Sequence, residues 1–368
     1  MPKTEDMPHP SVSPHQCAPA ADTARHLIRA GATLREAFQR LNALSGGTMT
    51  LFVTDAEGRL VGSLTDGDLR RAIIASATLA DSVEGICRRP CMSVAPGDDR
   101  YRRVRQARDK GIQLLPVTDG QGVVVSLLDL RTLRTSLPLD AVLMAGGKGE
   151  RLRPLTLDCP KPLLPVGGRP IIDYNIEELR ANGIRNIFVT VNYLKERLIG
   201  HFEGTGVRCV EEPRRLGTMG SLAYVDGLEE DNLVVMNSDL LTSLDFEQMY
   251  LQHIESGAML TMAAIPYTVS VPFAIVRHEG RRITGLTEKP TYNYYANAGV
   301  YMMRREVTRL ITKGEYLDAP DLVEQLIARG DKVEYFPIDG TWVDIGSPDD
   351  YRYADELMGG TLGRRRNQ

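Results

Sequence analysis

The sequence predicts an α/β domain with a mixed, mostly parallel sheet, preceded by an α+β module built from a tandem repeat. Three observations predict it. A helix–hairpin–helix pattern occurs twice before residue 136, and beyond residue 138 apolar strand-like runs alternate with longer amphipathic segments. The first of those runs ends in a basic, glycine-rich turn, the place where an open α/β sheet presents ligands.

The 368 residues suit two domains, and a content of 42% hydrophobic and 25% charged residues is that of ordinary globular proteins. A net charge of −4 and an isoelectric point near 6.0 argue against nucleic acid or an anionic membrane as the main partner. Any polyanion must be gripped by local Lys and Arg. The five cysteines (Cys17, Cys87, Cys91, Cys159, Cys209) are odd in number and form no C-x-x-C pair, which supports neither a disulfide framework nor a zinc site. The N-terminus lacks the charged start and apolar core of a signal peptide, and no run approaches the ~18 apolar residues of a membrane span. A cytoplasmic location is expected.

Four segments follow from the composition along the chain. Residues 1–21, rich in Pro, His and Ser, read as a disordered tail, and residues 359–368 as a flexible one. Residues 22–136 hold the repeat and residues 138–358 the larger domain. In the first copy a helix begins at 33–38 and strands fall at 51–53 and 60–65, with a turn at 55–58 and a closing helix near Asp68. The second copy repeats this with strands at 115–117 and 123–126, a turn at 119–122 and a closing helix near Asp129. Neither copy alone buries enough, so the two should pack together.

In the larger domain, strands are expected at 141–144, 186–191, 233–236 and 260–265, with a helix over 171–182 stopped by Gly183. The first strand runs into Ala145-Gly146-Gly147-Lys148-Gly149-Glu150-Arg151. Its glycines let the backbone approach a phosphate and turn N–H groups toward it, while Lys148 and Arg151 add positive charge. The spacing fits neither a Walker loop nor a dinucleotide fingerprint. Shortly after, Pro160-Lys161-Pro162 fixes one ammonium between two rigid residues, a plausible phosphate clamp. Asp239 follows the strand at 233–236, and Asp344 lies in Trp342-Val343-Asp344.

The composite G-G-x-G-x-R-L-x-P-L-T…P-K-P-L-L-P-V resembles the N-terminal motif of nucleoside-diphosphate-sugar pyrophosphorylases, the sugar-1-phosphate nucleotidyltransferases, and motifs in matching order extend the likeness over about 220 residues. The resemblance implies a Rossmann-like nucleotidyltransferase domain. It also implies an in-line displacement in which a sugar 1-phosphate oxygen attacks the α-phosphorus of a nucleoside triphosphate and pyrophosphate leaves. On this likeness Arg151 steadies the β- and γ-phosphates, Lys161 touches the reacting phosphates, and Asp239 and Asp344 hold Mg2+.

Residues 211–222 should form the base pocket. Their L-G-T-x-G-x-L string, with Gly217 and Thr218, resembles guanylyltransferases acting on mannose, heptose or amino-sugar phosphates. A carboxylate from Glu211 or Glu212 would accept the two adjacent donors of guanine, which favours GTP. Uridylyl- or cytidylyltransfer, or a silent sugar-nucleotide sensor, are the alternative readings. On the sugar side the likeness assigns Lys289 to the phosphate and Glu288 and Asn297 to hydroxyls, while Ala274 stands where the family has a glycine and leaves the sugar open.

The repeat resembles the cystathionine-β-synthase (CBS) pair, which binds adenosine or guanosine nucleotides between its copies. The pattern matches at Thr65 and Asp68 in the first copy and at Ser126 and Asp129 in the second, where Val123 replaces the expected glycine. These four residues either contact a regulatory nucleotide or cap helices. Paired modules of this kind imply a homodimer or tetramer.

Overall fold

A computed structural model describes residues 20–360, which divide into one compact unit up to Leu137 and another from Pro138 onward. Most of the tail expected over 1–21, with Cys17, and the end expected over 361–368 lie outside the described residues. The chain is already helical at Ala20, two residues before the expected start of the repeat.

The first unit contains α1 (Ala20–Arg25), β1 (Leu27–Arg29), α2 (Leu34–Ala43), β2 (Thr50–Thr54), β3 (Leu60–Thr65), α3 (Asp66–Ile74), α4 (Arg100–Asp109), β4 (Leu114–Thr118) and β5 (Val124–Asp129). Each copy folds a helix against a hairpin. Capping boxes start α2 and α3: Thr33 pairs with Glu36 and Thr65 with Asp68, so each satisfies orphan N–H groups of its helix. The hairpins are congruent. Val53 pairs with Gly62 in the first and Val117 with Ser126 in the second, each next to a one-residue register shift. Phe52 of one hairpin and Leu114, Val124 and Leu127 of the other share one apolar cluster, so the copies pack as a pair.

Two expectations are corrected here. No helix follows β5; residues 130–133 turn instead, with Thr132 and Leu133 donating back to the Asp129 carbonyl. The congruent registers also superpose Ser126 on Gly62 and Asp129 on Thr65, three residues away from the correspondence read from the sequence motif.

The second unit contains β6 (Asp140–Met144), β7 (Pro165–Val166), β8 (Arg169–Pro170), α5 (Ile171–Ala181), β9 (Ile187–Val191), α6 (Lys195–Phe202), β10 (Arg208–Glu211), β11 (Asn232–Asn237), β12 (Leu240–Thr242), α7 (Phe246–Ser256), β13 (Leu260–Ser270), β14 (Ile275–Glu279), β15 (Arg282–Thr287), β16 (Thr291–Arg304), α8 (Ala319–Ala328), β17 (Val333–Pro337), β18 (Trp342–Asp344) and α9 (Pro348–Gly359). Its main sheet has the order β10-β9-β6-β11-β16-β13-β17, parallel throughout except for β16. Every residue of β9 is buried, as a strand covered on both faces requires. One core joins Val142, Phe188, Leu233, Val235 and Tyr301 of the sheet to Leu322 and Leu326 of α8.

The chain leaves β6 toward β9 on one side and later returns as β11 on the other. The carboxyl ends of β6 and β11 therefore form the topological switch point, where such sheets open a crevice. Beyond Pro266, β13 and β16 leave the core as a solvent-exposed two-stranded ribbon, so the strand expected at 260–265 runs on to Ser270. Among the described residues no helix is long and apolar enough to cross a membrane.

Candidate active site

The glycine turn begins where β6 ends. Ala145 N–H donates to the Thr190 carbonyl at 3.0 Å, fixing the exit of the loop against β9. Gly149 takes φ +60, and a Cβ there would stand 2.9 Å from Thr156 Cγ2 and 3.1 Å from Lys161 Cβ. Only glycine lets the loop lie this close to the lysine segment. That segment is a single 3-10 turn, Lys161–Leu163, with Pro160 before it and buried Pro162 within it. Lys148 and Gly147 are exposed.

Asp239 sits just past β11. Ser238 Oγ donates to the Met144 carbonyl at 2.7 Å, and Asn175 Nδ2 donates to the Ser238 carbonyl at 3.2 Å, so the ends of β6 and β11 and the body of α5 are tied at one residue. Asp344 ends β18, which pairs with β12 so that Leu240 faces Asp344. Lys161 Nζ forms an ion pair with Asp239 and stands 3.8 Å from Asp344 Oδ1. Lys161 and Asp239 side chains are 14% and 17% exposed, which puts this ammonium between two carboxylates largely out of water. Burial raises the Asp344 carboxyl, the nearby Asp239 raises it further, and Lys161 and Arg151 oppose both. The Arg151 guanidinium also lies beside Gly346, whose added Cβ would be 3.4 Å from Nη2. Behind this group, Leu152, Leu164, Val343 and Ile345 share a buried apolar cluster that braces all three segments.

Arg151, Lys161, Asp239 and Asp344 are thus brought together at the switch point, beside Gly149. Among the described residues no group of three or more His, Cys, Asp or Glu is gathered for a metal, and the donor set here is this pair of carboxylates. Two carboxylates converging on one cation-sized position suit a divalent metal, which can complete its shell with phosphate oxygens and water.

The adjacent glutamates diverge. Glu211 is exposed and ion-paired with Lys195 Nζ at 2.6 Å. Glu212 is 9% exposed, and its Oε1 stands 2.7 Å from where Gly146 would carry a Cβ. Burial raises the Glu212 carboxyl above its usual range, opposed by its neighbours Thr190, Leu216 and Arg215. Gly217, at φ +78, and Thr218 lie on the loop that follows.

Sugar-side residues are only partly assembled. Asn297 projects beyond the carboxyl end of β11, donating to Tyr301 Oη at 2.6 Å and accepting from Gly299 N–H at 2.9 Å. Gly299 in turn packs against Asn237. Glu288 and Lys289 are exposed in the turn between β15 and β16. Thr291, at the start of β16, is six residues before Asn297, roughly 20 Å at strand rise. No hydrogen bond or ion pair joins Lys289 to Lys161, Asp239 or Asp344.

In the first unit, both oxygens of Asp68 are occupied. Oδ2 accepts from Thr65 N–H at 2.9 Å and Oγ1 at 2.6 Å, while Oδ1 accepts from Arg88 Nε at 2.6 Å and from Arg71. These bonds hold the Asp68 carboxyl low against the opposing effect of its burial. The capping reading describes Thr65 and Asp68 here. Asp129 pairs with Arg131, and the Ser126 hydroxyl is buried without a partner. Neither is hydrogen-bonded or ion-paired to Thr65 or Asp68.

At the switch point of an α/β sheet, a basic glycine turn beside a largely shielded ammonium and two carboxylates suits phosphate handling, the chemistry of the nucleotidyltransferase class. The nucleotidyl transferase family model matches residues 140–359 and the CBS domain model residues 26–75, the first copy of the repeat. The chain belongs to the nucleotidyl transferase family and carries an N-terminal CBS domain. It is similar to the mannose-1-phosphate guanylyltransferase of Mycobacterium tuberculosis, at 33% identity over 236 residues, 60% of this chain and 65% of that one. It is also similar to the mannose-1-phosphate guanyltransferase of Saccharomyces cerevisiae, at 31% over 245 residues, 62% of this chain and 66% of that one. The chain spans just under two thirds of the length of these relatives. Among solved structures, HddC from Yersinia pseudotuberculosis aligns at a TM-score of 0.47 and 22% identity, covering 60% of this chain and 99% of that one.

Proposed function

We propose that the protein is a sugar-1-phosphate guanylyltransferase, converting GTP and a sugar 1-phosphate, mannose 1-phosphate first among candidates, into a GDP-sugar and pyrophosphate. The observation that carries this is the Lys161 ammonium held between Asp239 and Asp344 beside the glycine turn. Nucleotidyltransferases of this family generally use a divalent metal. Mg2+, held by Asp239 and Asp344, would neutralise charge on the phosphate oxygens.

The chain's own residues align and stabilise. Backbone N–H groups of 146–149 donate to the triphosphate. Arg151 and Lys161 neutralise the charge that develops as the α-phosphorus changes partners, and Lys289 meets the sugar phosphate once the ribbon approaches. The attacking phosphate oxygen is already anionic, so no protein base is needed. Glu212, rather than the ion-paired Glu211, would accept from guanine.

We propose further that the CBS-containing unit makes the enzyme responsive to a purine nucleotide and that the chain works as a homodimer or tetramer. Pyrophosphate release, measured over a matrix of nucleoside triphosphates and sugar 1-phosphates, tests the main assignment. Release that requires both GTP and a sugar 1-phosphate is expected; no release with any pair would overturn it. Titrating adenine and guanine nucleotides into the full chain, with a flat response to all of them, would remove the regulatory reading.

A further inference from the structure

The base loop and the start of α8 are locked to each other by exchanged caps. Asp318 stands at the N-cap position of α8, where its carboxylate would ordinarily accept from its own helix. It does not. Its Oδ1 accepts instead from Thr218 N–H at 3.0 Å and from Thr218 Oγ1 at 3.4 Å. Thr218 Oγ1 returns the favour by accepting from Ala319 N–H, the first residue of α8, at 2.8 Å. Tyr316 Oη donates to Asp318 Oδ2 at 2.6 Å and holds the carboxylate in this orientation.

The backbone reinforces the exchange. Met219 N–H donates to the Leu317 carbonyl at 2.9 Å, and Leu317 N–H donates to the Leu216 carbonyl at 2.9 Å. Gly217 lies so close that a Cβ on it would be 2.5 Å from the Leu317 carbonyl oxygen. Residues 314–319 are therefore the mould against which 214–220 is cast. The same loop follows directly from Glu212 in the chain.

We infer that Asp318 is a positioning residue for the nucleobase, acting through Thr218 to fix the loop that presents Glu212 and Gly217 to the base. This rests on the guanylyltransferase reading, and the sugar 1-phosphate, bound on the far side of the reacting phosphates, should not feel it.

The test is calorimetric binding of GTP with Mg2+ and, separately, of mannose 1-phosphate, to the full chain and its variants, beside steady-state pyrophosphate release. Asp318→Ala should weaken GTP binding about tenfold, because it leaves the Thr218 N–H without its acceptor. Mannose 1-phosphate affinity should stay within about twofold. Asp318→Asn keeps an acceptor for Thr218 N–H and should restore GTP binding. A purely structural Asp318 would lower thermal stability while leaving the ratio of the two affinities unchanged, and that result overturns the inference. If Asp318→Ala does not fold, Tyr316→Phe, at an exposed site, frees Oδ2 and should weaken GTP alone by about threefold; unchanged GTP binding there also overturns it. Binding needs no turnover, so a wild type that binds GTP but releases no pyrophosphate sinks the proposed activity and leaves this inference standing. A wild type that binds no nucleoside triphosphate sinks both.

Discussion

The carboxylate of Glu212 occupies the space that a side chain on Gly146 would need, with Oε1 2.7 Å from the absent Cβ. The glycine turn and the start of the base loop are thus one packed object. Gly146→Ala should displace Glu212, and both it and Glu212→Gln should raise the KM for GTP about tenfold while affecting UTP much less, read from parallel nucleotide titrations.

Lys161→Ala removes the cation between Asp239 and Asp344 and leaves two carboxylates facing each other. Turnover should fall at least ~10²-fold, the usual cost of one aligned electrostatic contact, with circular dichroism unchanged. Near-normal pyrophosphate release by this variant would sink the proposed mechanism.

Chelation should abolish pyrophosphate release and added Mg2+ should restore it. Asp239→Asn, which keeps the size of the side chain but not its charge, should shift the Mg2+ concentration for half-maximal rate upward by about tenfold or more. An unshifted Mg2+ dependence would remove Asp239 from the metal site.

Gly217→Ala places a Cβ 2.5 Å from the Leu317 carbonyl oxygen at a φ of +78. The strain and the clash together should cost about 2–3 kcal/mol, read as a lower denaturant midpoint.

His253 is 1% exposed, between Thr261 Oγ1 at 2.8 Å and Asn232 Oδ1 at 3.3 Å. Burial, helped by Arg304, lowers its pKa to about 4. Unfolded histidine titrates near 6.5 and folded His253 near 4, so its contribution is intact above pH 6.5 and is lost as pH falls toward 4. Between pH 7 and 5 the loss should be ~2 kcal/mol. His253→Asn should flatten that part of the pH–stability curve; equal slopes in both proteins would refute the assignment.

Much of the site was legible because its parts are covalently marked. A lysine between two prolines and glycines at the end of an apolar strand can be read without coordinates. What escaped was spatial. Glu211 and Glu212 could not be separated by sequence, yet adjacent residues leave a strand on opposite faces, so one meets Lys195 and the other Gly146. Only the fold reveals that Asp318 meets Thr218. In the second copy the motif match and the hairpin correspondence differ by three residues, because a short motif of apolar and hydroxyl residues slides easily along a strand, whereas the hairpin pairing does not. The reach of β13 and β16 beyond the core left no signal either, since both faces there are exposed and no alternation is imposed.

The exchanged caps join residues 100 positions apart in the chain. Swapping residues 214–220 for those of a relative that lacks the Thr218 hydroxyl would strip α8 of its cap and leave Asp318 with only the backbone N–H at 218 and Tyr316. An engineer wishing to change the nucleotide must therefore graft two segments at once, and natural drift in one will be tolerated only as the other follows.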